Sequence, residues 1–195
     1  MNIENAFSSP IIADYLECID NDKLKDYASQ LKATSLGREK SNFHGWQSDD
    51  VDNSNAEIKK LSHEITQRIT YLYQEFGLKT PADVFISNMW ININPTGSFN
   101  RPHVHPESLF SGVYYVNSNE NNGCIVFKHP AINHQYHIKG DIDRYTNFTS
   151  SVYRVTPVEG KLVIFPSWLE HYVESNITDT DRISISFNTR FKILQ

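Results

Sequence analysis

Apolar residues recur along this chain with two different periods, and the change from one to the other divides it near residue 81. In the first part the period is helical. Ile12, Leu16, Ile19, Leu24, Tyr27, Ala28 and Leu31 fall near helical spacing and predict helix over 8–34, opening at Ser8-Ser9-Pro10 and broken near Asn21. Residues 38–54 are polar and irregular around the compact Asn42-Phe43-His44-Gly45-Trp46-Gln47-Ser48. The clearest helix follows. Asn55 can cap it, Ile58, Leu61, Ile65, Ile69, Leu72 and Phe76 recur at three or four, and Gly77 and Pro81 end it. Beyond Ala82 the period becomes two. Residues 84–94, 109–117, 123–129, 152–156, 161–165 and 182–191 read as strands, set apart by turn signals such as Pro95-Thr96-Gly97 and Val158-Glu159-Gly160. Residues 129–151 are polar and read as a long insertion, either a lid or a solvated loop.

Helices followed by many short strands predict a mainly β fold, a β-sandwich or jelly roll with the N-terminal α-helices packed on one sheet. A chain of 195 residues suits a single domain, with a helical layer over 1–80 and a jelly-roll core over 81–195. The formal net charge of −5 argues against a broad nucleic-acid surface. The N-terminus lacks a basic and apolar leader, and no run approaches the roughly 18 apolar residues of a spanning helix, so the expected location is cytoplasmic and off the membrane. Cys18 and Cys124 sit far apart in unlike segments, which predicts buried packing for both rather than a bridge or a thiolate site.

The chemistry concentrates in three places. In Asn100-Arg101-Pro102-His103-Val104-His105-Pro106-Glu107, residues two apart on an extended backbone face one way. A third imidazole, His171, closes the run that starts at Lys161. A mononuclear iron site with open positions is commonly built from two histidines and a carboxylate. Here either His103, His105 and His171, or His105, Glu107 and His171, can supply three ligands. Arg182, eleven positions after His171 at the start of the last strand, can grip a carboxylate with both arms of its guanidinium, and Ser184 faces the same way. That pair suits a dicarboxylate cosubstrate reaching the metal with its other end.

These words together resemble the iron(II)/2-oxoglutarate-dependent oxygenase superfamily, and most nearly its uncharacterised members in marine bacteria and their phages. The matching stretches are Gly45-Trp46-Gln47-Ser48, His103-Val104-His105-Pro106, Ser111 to Val116, Phe165 to His171 and Arg182 to Asn188. The resemblance implies a double-stranded β-helix, iron(II) as cofactor, and 2-oxoglutarate as a cosubstrate decarboxylated to succinate while a substrate is oxidised. By similarity to prolyl hydroxylases, Tyr115 would hydrogen-bond the 2-oxoglutarate carboxylate. Those enzymes carry an acid where this chain has His105, and an alignment shifted by two would restore it as Glu107; the resemblance to the uncharacterised members at both His103 and His105 implies three histidines instead. Asn92 and Asn94 share a strand face from which Asn94 could touch the cosubstrate, and Arg190 could add a second anion contact. Trp46 and Gln47 could line a substrate entrance. A cupin-like metal enzyme would use the same histidines but leaves Arg182, Ser184 and Tyr115 without a task. A non-enzymatic jelly-roll binding module would make the histidines incidental. The substrate, small molecule or peptide, and the oligomeric state are not written in the sequence.

Overall fold

The computed structural model describes residues 8–78, 82–131 and 142–193. Two helices, α1 (Asn21–Thr34) and α2 (Ala56–Glu75), and eleven strands are found there. The strands are β1 (Ile12–Tyr15), β2 (Asn42–Phe43), β3 (Trp46–Gln47), β4 (Ala82–Asn94), β5 (Phe99–His103) and β6 (Phe110–Asn117). They continue with β7 (Ile125–Lys128), β8 (Val152–Val155), β9 (Lys161–Pro166), β10 (His171–Val173) and β11 (Arg182–Ile193). Six form one sheet in the order β1-β9-β6-β11-β4-β3, and five form a second in the order β2-β5-β10-β7-β8. Every pairing is antiparallel. The chain is thus mainly β.

The six-stranded sheet has two apolar faces of unequal extent, and the inequality places the site. Ile91 and Ile93 of β4, with Ile183, Ile185 and Phe187 of β11, join Leu24 and Ala28 of α1 and Ile58, Leu61, Ile65 and Ile69 of α2 in one cluster. The smaller cluster joins Val113, Tyr115, Val163 and Phe165 of this sheet to Ile125 and Phe127 of the other. Because side chains alternate, the inward positions of β4 are Trp90, Asn92 and Asn94, and those of β11 are Arg182, Ser184 and Ser186. Those two strands are therefore apolar toward the helices and polar toward the second sheet. Polar groups line a cavity between the sheets at that end.

The second helix forms where the sequence places it. Asn55 accepts hydrogen bonds from the backbone N–H groups of Glu57 and Ile58 through its side chain, and the apolar stripe from Ile58 to Leu72 is buried. Replacing Asn55 with alanine should cost about 1 kcal/mol, the usual loss for an N-cap, read as a lower urea midpoint at unchanged slope. No helix among the described residues is long and apolar enough to cross a membrane.

The helix predicted over 8–34 is corrected in its first half. Residues 12–15 are extended and pair with β9, Ile12 opposite Ile164 and Tyr15 opposite Lys161. An edge strand gains ladder hydrogen bonds that outweigh a weak local helical pattern. The helix starts only at Asn21, where the Asp20 side chain caps Lys23 N–H. The burial expected of the cysteines is corrected too: Cys18 lies exposed in the turn between β1 and α1, and Cys124 is half-buried. Trp46 donates to the Ser35 carbonyl at 3.0 Å and packs on the helical core, so its side chain serves as an anchor there. The lid reading of the 129–151 insertion rests on residues 132–141, outside the described residues.

Candidate metal centre

Two of the three histidines come from paired strands of the five-stranded sheet. His103 ends β5, His171 begins β10, and the two stand directly opposite each other in register. His105 lies two residues past His103, on the loop into β6, and its backbone N–H donates to the Ser167 carbonyl at 3.0 Å. Ser167 in turn donates its N–H to the Leu109 carbonyl at 3.1 Å, so the turn before β10 ties down the loop that carries His105. Three imidazoles converge as a result, each offering one nitrogen, all within 4.8 Å of one another.

Their chemistry suits a metal ion. His103 Nδ1 meets the Arg101 carbonyl at 2.7 Å, and His171 Nδ1 meets the Leu169 carbonyl at 2.9 Å. A carbonyl only accepts, so each Nδ1 carries the proton and each Nε2 keeps a lone pair. A backbone partner of this kind fixes tautomer and ring orientation in metal sites. Burial is the main cause holding all three below the usual histidine range: His105 falls to about 4, His171 to about 3, and His103 is also lowered. At neutral pH all three are uncharged, the form in which an imidazole can ligate a metal. His105 Nε2 and His171 Nε2 lie 3.3 Å apart. Two nitrogens about 2.1 Å from one ion, at right angles, would stand about 3.0 Å apart, so the spacing fits a shared ion.

Glu107 is not brought into this cluster. Its backbone adopts a left-handed φ of 62°, and its exposed carboxylate pairs with Arg190 at 2.8 Å. Among the described residues the group that could hold a metal here is made of histidines only. Arg190, weighed as an anion contact, is taken up by that surface pair.

Across the cavity stands Arg182, 2% exposed. Its Nη1 donates to the main-chain carbonyls of Asn122, Gly123 (3.1 Å) and Glu174 (3.4 Å). No carboxylate among the described residues forms an ion pair with it. Gly123 has a φ of 89°, and a side chain there would collide with the Glu174 backbone. The carbonyl cage is held from behind by a buried amide pair, Asn122 Nδ2 donating to Asn176 Oδ1 at 3.0 Å. Spacing gives no hint of Asn122, Gly123 or Asn176; only the fold brings them to Arg182.

Ser184, Tyr115 and Asn94 line the same cavity as Arg182 and the histidines. Tyr115 is buried, and burial raises its phenol well above the ordinary value while the nearby Arg182 opposes the shift. Asn94 Nδ2 and Asn92 Oδ1 are buried without a hydrogen-bond partner among the described residues. An orphaned amide donor beside an unpaired guanidinium fits the carboxylate of an absent acid.

Comparison with known proteins agrees with this arrangement. Residues 88–188, just over half of the chain, match a family model described as "Putative 2OG-Fe(II) oxygenase". No curated protein matches the chain. Among solved structures, a Pseudomonas putida prolyl-4-hydroxylase is similar at a TM-score of 0.66 and 16% identity, covering 94% of this chain and 93% of that one. The viral collagen prolyl hydroxylase of Paramecium bursaria Chlorella virus-1 reaches 0.62 at 9% identity, covering 94% and 96%. HygX from Streptomyces hygroscopicus, solved with nickel and 2-oxoglutarate bound, reaches 0.62 at 9% identity, covering 93% and 82%. At such identities the likeness of the structures is one of fold, and it is the matched family that identifies the chemistry. The chain belongs to the family of iron(II)- and 2-oxoglutarate-dependent oxygenases.

Proposed function

We propose that His103, His105 and His171 hold iron(II), that Arg182 with Ser184, Tyr115 and Asn94 holds the distal carboxylate of 2-oxoglutarate, and that the enzyme hydroxylates a small-molecule or peptide substrate. The observation that carries this is the buried guanidinium of Arg182, without a carboxylate partner among the described residues, in one cavity with three neutral imidazoles. A buried charge left alone is costly, and a dicarboxylate that reaches both ends of the cavity relieves it. When bound, the iron supplies the activation of dioxygen. One oxygen atom goes to the succinate formed as carbon dioxide leaves, and the other to the substrate.

The residues of the chain do the rest. Arg182 and Asn94 fix one end of the cosubstrate. Phe165, with its ring 4.6 Å from that of His171, and Phe127 keep water from the back of the cluster. Trp90, 6.0 Å from the His105 ring, walls the side from which a substrate would approach. A cupin-like enzyme would account for the histidines but not for a buried Arg182, with no acid partner among the described residues, in the same cavity.

The fold that goes with this function is one domain working in the cytoplasm, a double-stranded β-helix (jelly roll) built mainly from 81–195, while 1–80 supplies both helices and adds β1, β2 and β3 to the sheets. The direct test is the conversion of 2-oxoglutarate to succinate by purified protein. Conversion should require added iron(II) and stop after chelation, and succinate formed equally well without iron would sink the assignment. The ligand set has its own test. Glu107→Gln should leave iron affinity within about twofold, because an exposed surface ion pair contributes only about 0–1 kcal/mol. A loss of about 100-fold or more would put Glu107 back at the metal.

A further inference from the structure

Charge inside the cavity does not balance. Among the described residues that line it, Arg182 is the one charged side chain, and none is an aspartate or glutamate. Three acids close along the chain to the histidines face cations elsewhere: Glu107 meets Arg190 at 2.8 Å, Glu170 meets Lys128 at 2.6 Å and Glu174 meets Arg154 at 3.0 Å. Each of these pairs is at least partly open to solvent, so none of the three acids is drawn toward the histidines.

The consequence follows from the function proposed above, on which this step rests. A divalent ion on three neutral imidazoles brings two positive charges, and Arg182 brings a third. A 2-oxoglutarate dianion cancels two of them. In a centre of two histidines and a carboxylate the ligating acid cancels the last; here a histidine stands in that place, and one positive charge is left over between the buried His171 and Arg182. At a separation of about 4 Å and an effective dielectric constant near 20, a unit charge is felt strongly enough to govern what binds.

We propose that the loaded cavity takes one monoanion in addition to 2-oxoglutarate, either a free inorganic anion of the halide class or a carboxylate carried by the substrate. His105 is the residue that sets this selectivity, because an acid there would supply the missing charge from the protein itself. An anionic group on the substrate would then be favoured over its neutral amide counterpart.

Azide is a suitable probe because its infrared stretch changes when it leaves water, wherever in the cavity it comes to rest. The protein is loaded with cobalt(II) and 2-oxoglutarate without oxygen, and loading is checked first by the visible spectrum and by calorimetry. The expected result is one saturable bound-azide band per chain, absent with perchlorate at equal ionic strength. Displacement by bromide identifies a halide-type site, and displacement by acetate but not bromide identifies a carboxylate site. His105→Asp should weaken azide at least tenfold while cobalt stays bound, and His103→Asp serves the same purpose if the first variant does not fold. Loaded protein that shows no bound azide overturns this inference alone, as does an acid variant that binds azide as tightly as the parent. Failure to load cobalt or 2-oxoglutarate overturns the proposed function itself, and this inference with it.

Discussion

His171→Ala should lower iron affinity by at least about 100-fold and remove iron-dependent succinate formation, while the chain still folds. Loss of a partner outside the ligand set typically costs a metal site 10–100-fold, and His171 is proposed as a ligand itself. It holds this position through three separate features. Its backbone is fixed opposite His103 by the β5–β10 pairing. Its Nδ1 is fixed by the Leu169 carbonyl. Its ring packs against Phe165 and Phe127. Alanine removes the nitrogen and leaves the backbone pairing intact. The truncation leaves space beside two aromatic rings, at a cost of a few kcal/mol at most by comparison with other core truncations. Far-ultraviolet circular dichroism should therefore be unchanged while metal binding by calorimetry is lost. Iron bound by His171→Ala as tightly as by the parent would remove His171 from the metal.

How far the sequence foretells this site depends on which interactions decide each part. The helix from Ala56 to Glu75 was legible because a long stripe at helical spacing and an Asn cap agree with each other. Strands β4 and β11 were legible because alternation over a dozen residues has no competing pattern. Residues 12–15 were misread because Ile12, Leu16 and Ile19 fit a helix, whereas the deciding partner is β9, about 150 residues away. Strands β2 and β3, two residues each, carry no periodic signal at all. At the site, the spacing of His103, His105 and His171 announced a metal motif but left Glu107 as an equal geometrical option. What separates them is a backbone turn: a left-handed φ at Glu107 points its carboxylate out to Arg190. Local alternation would have kept His105 and Glu107 on one side. The carbonyl cage around Arg182 was illegible for a different reason, since main-chain acceptors have no sequence signature.

Arg182 carries the second large expectation. Arg182→Met should weaken 2-oxoglutarate binding by about 10²–10⁴-fold, the range for removing one partner of a buried, hydrogen-bonded charge pair at a cost of about 3–5 kcal/mol. Iron affinity should hardly change, because the guanidinium and the imidazoles stand on different sheets. Stability without cosubstrate gives a second reading. The parent buries this charge with carbonyl partners only, so methionine removes a desolvation cost as well as three hydrogen bonds to Asn122, Gly123 and Glu174. Those two effects oppose each other, and the thermal midpoint without cosubstrate should move far less than cosubstrate affinity does. The midpoint gained on adding saturating 2-oxoglutarate should largely vanish in the variant. Arg182→Lys separates charge from shape. Lysine keeps the positive charge but not the planar fork that meets both carboxylate oxygens, so it should recover only part of the affinity. If lysine restored binding fully, the site would read charge alone. If methionine left 2-oxoglutarate affinity unchanged, Arg182 would be a structural residue of the Asn122 loop, and the cosubstrate would have to be anchored elsewhere in the cavity.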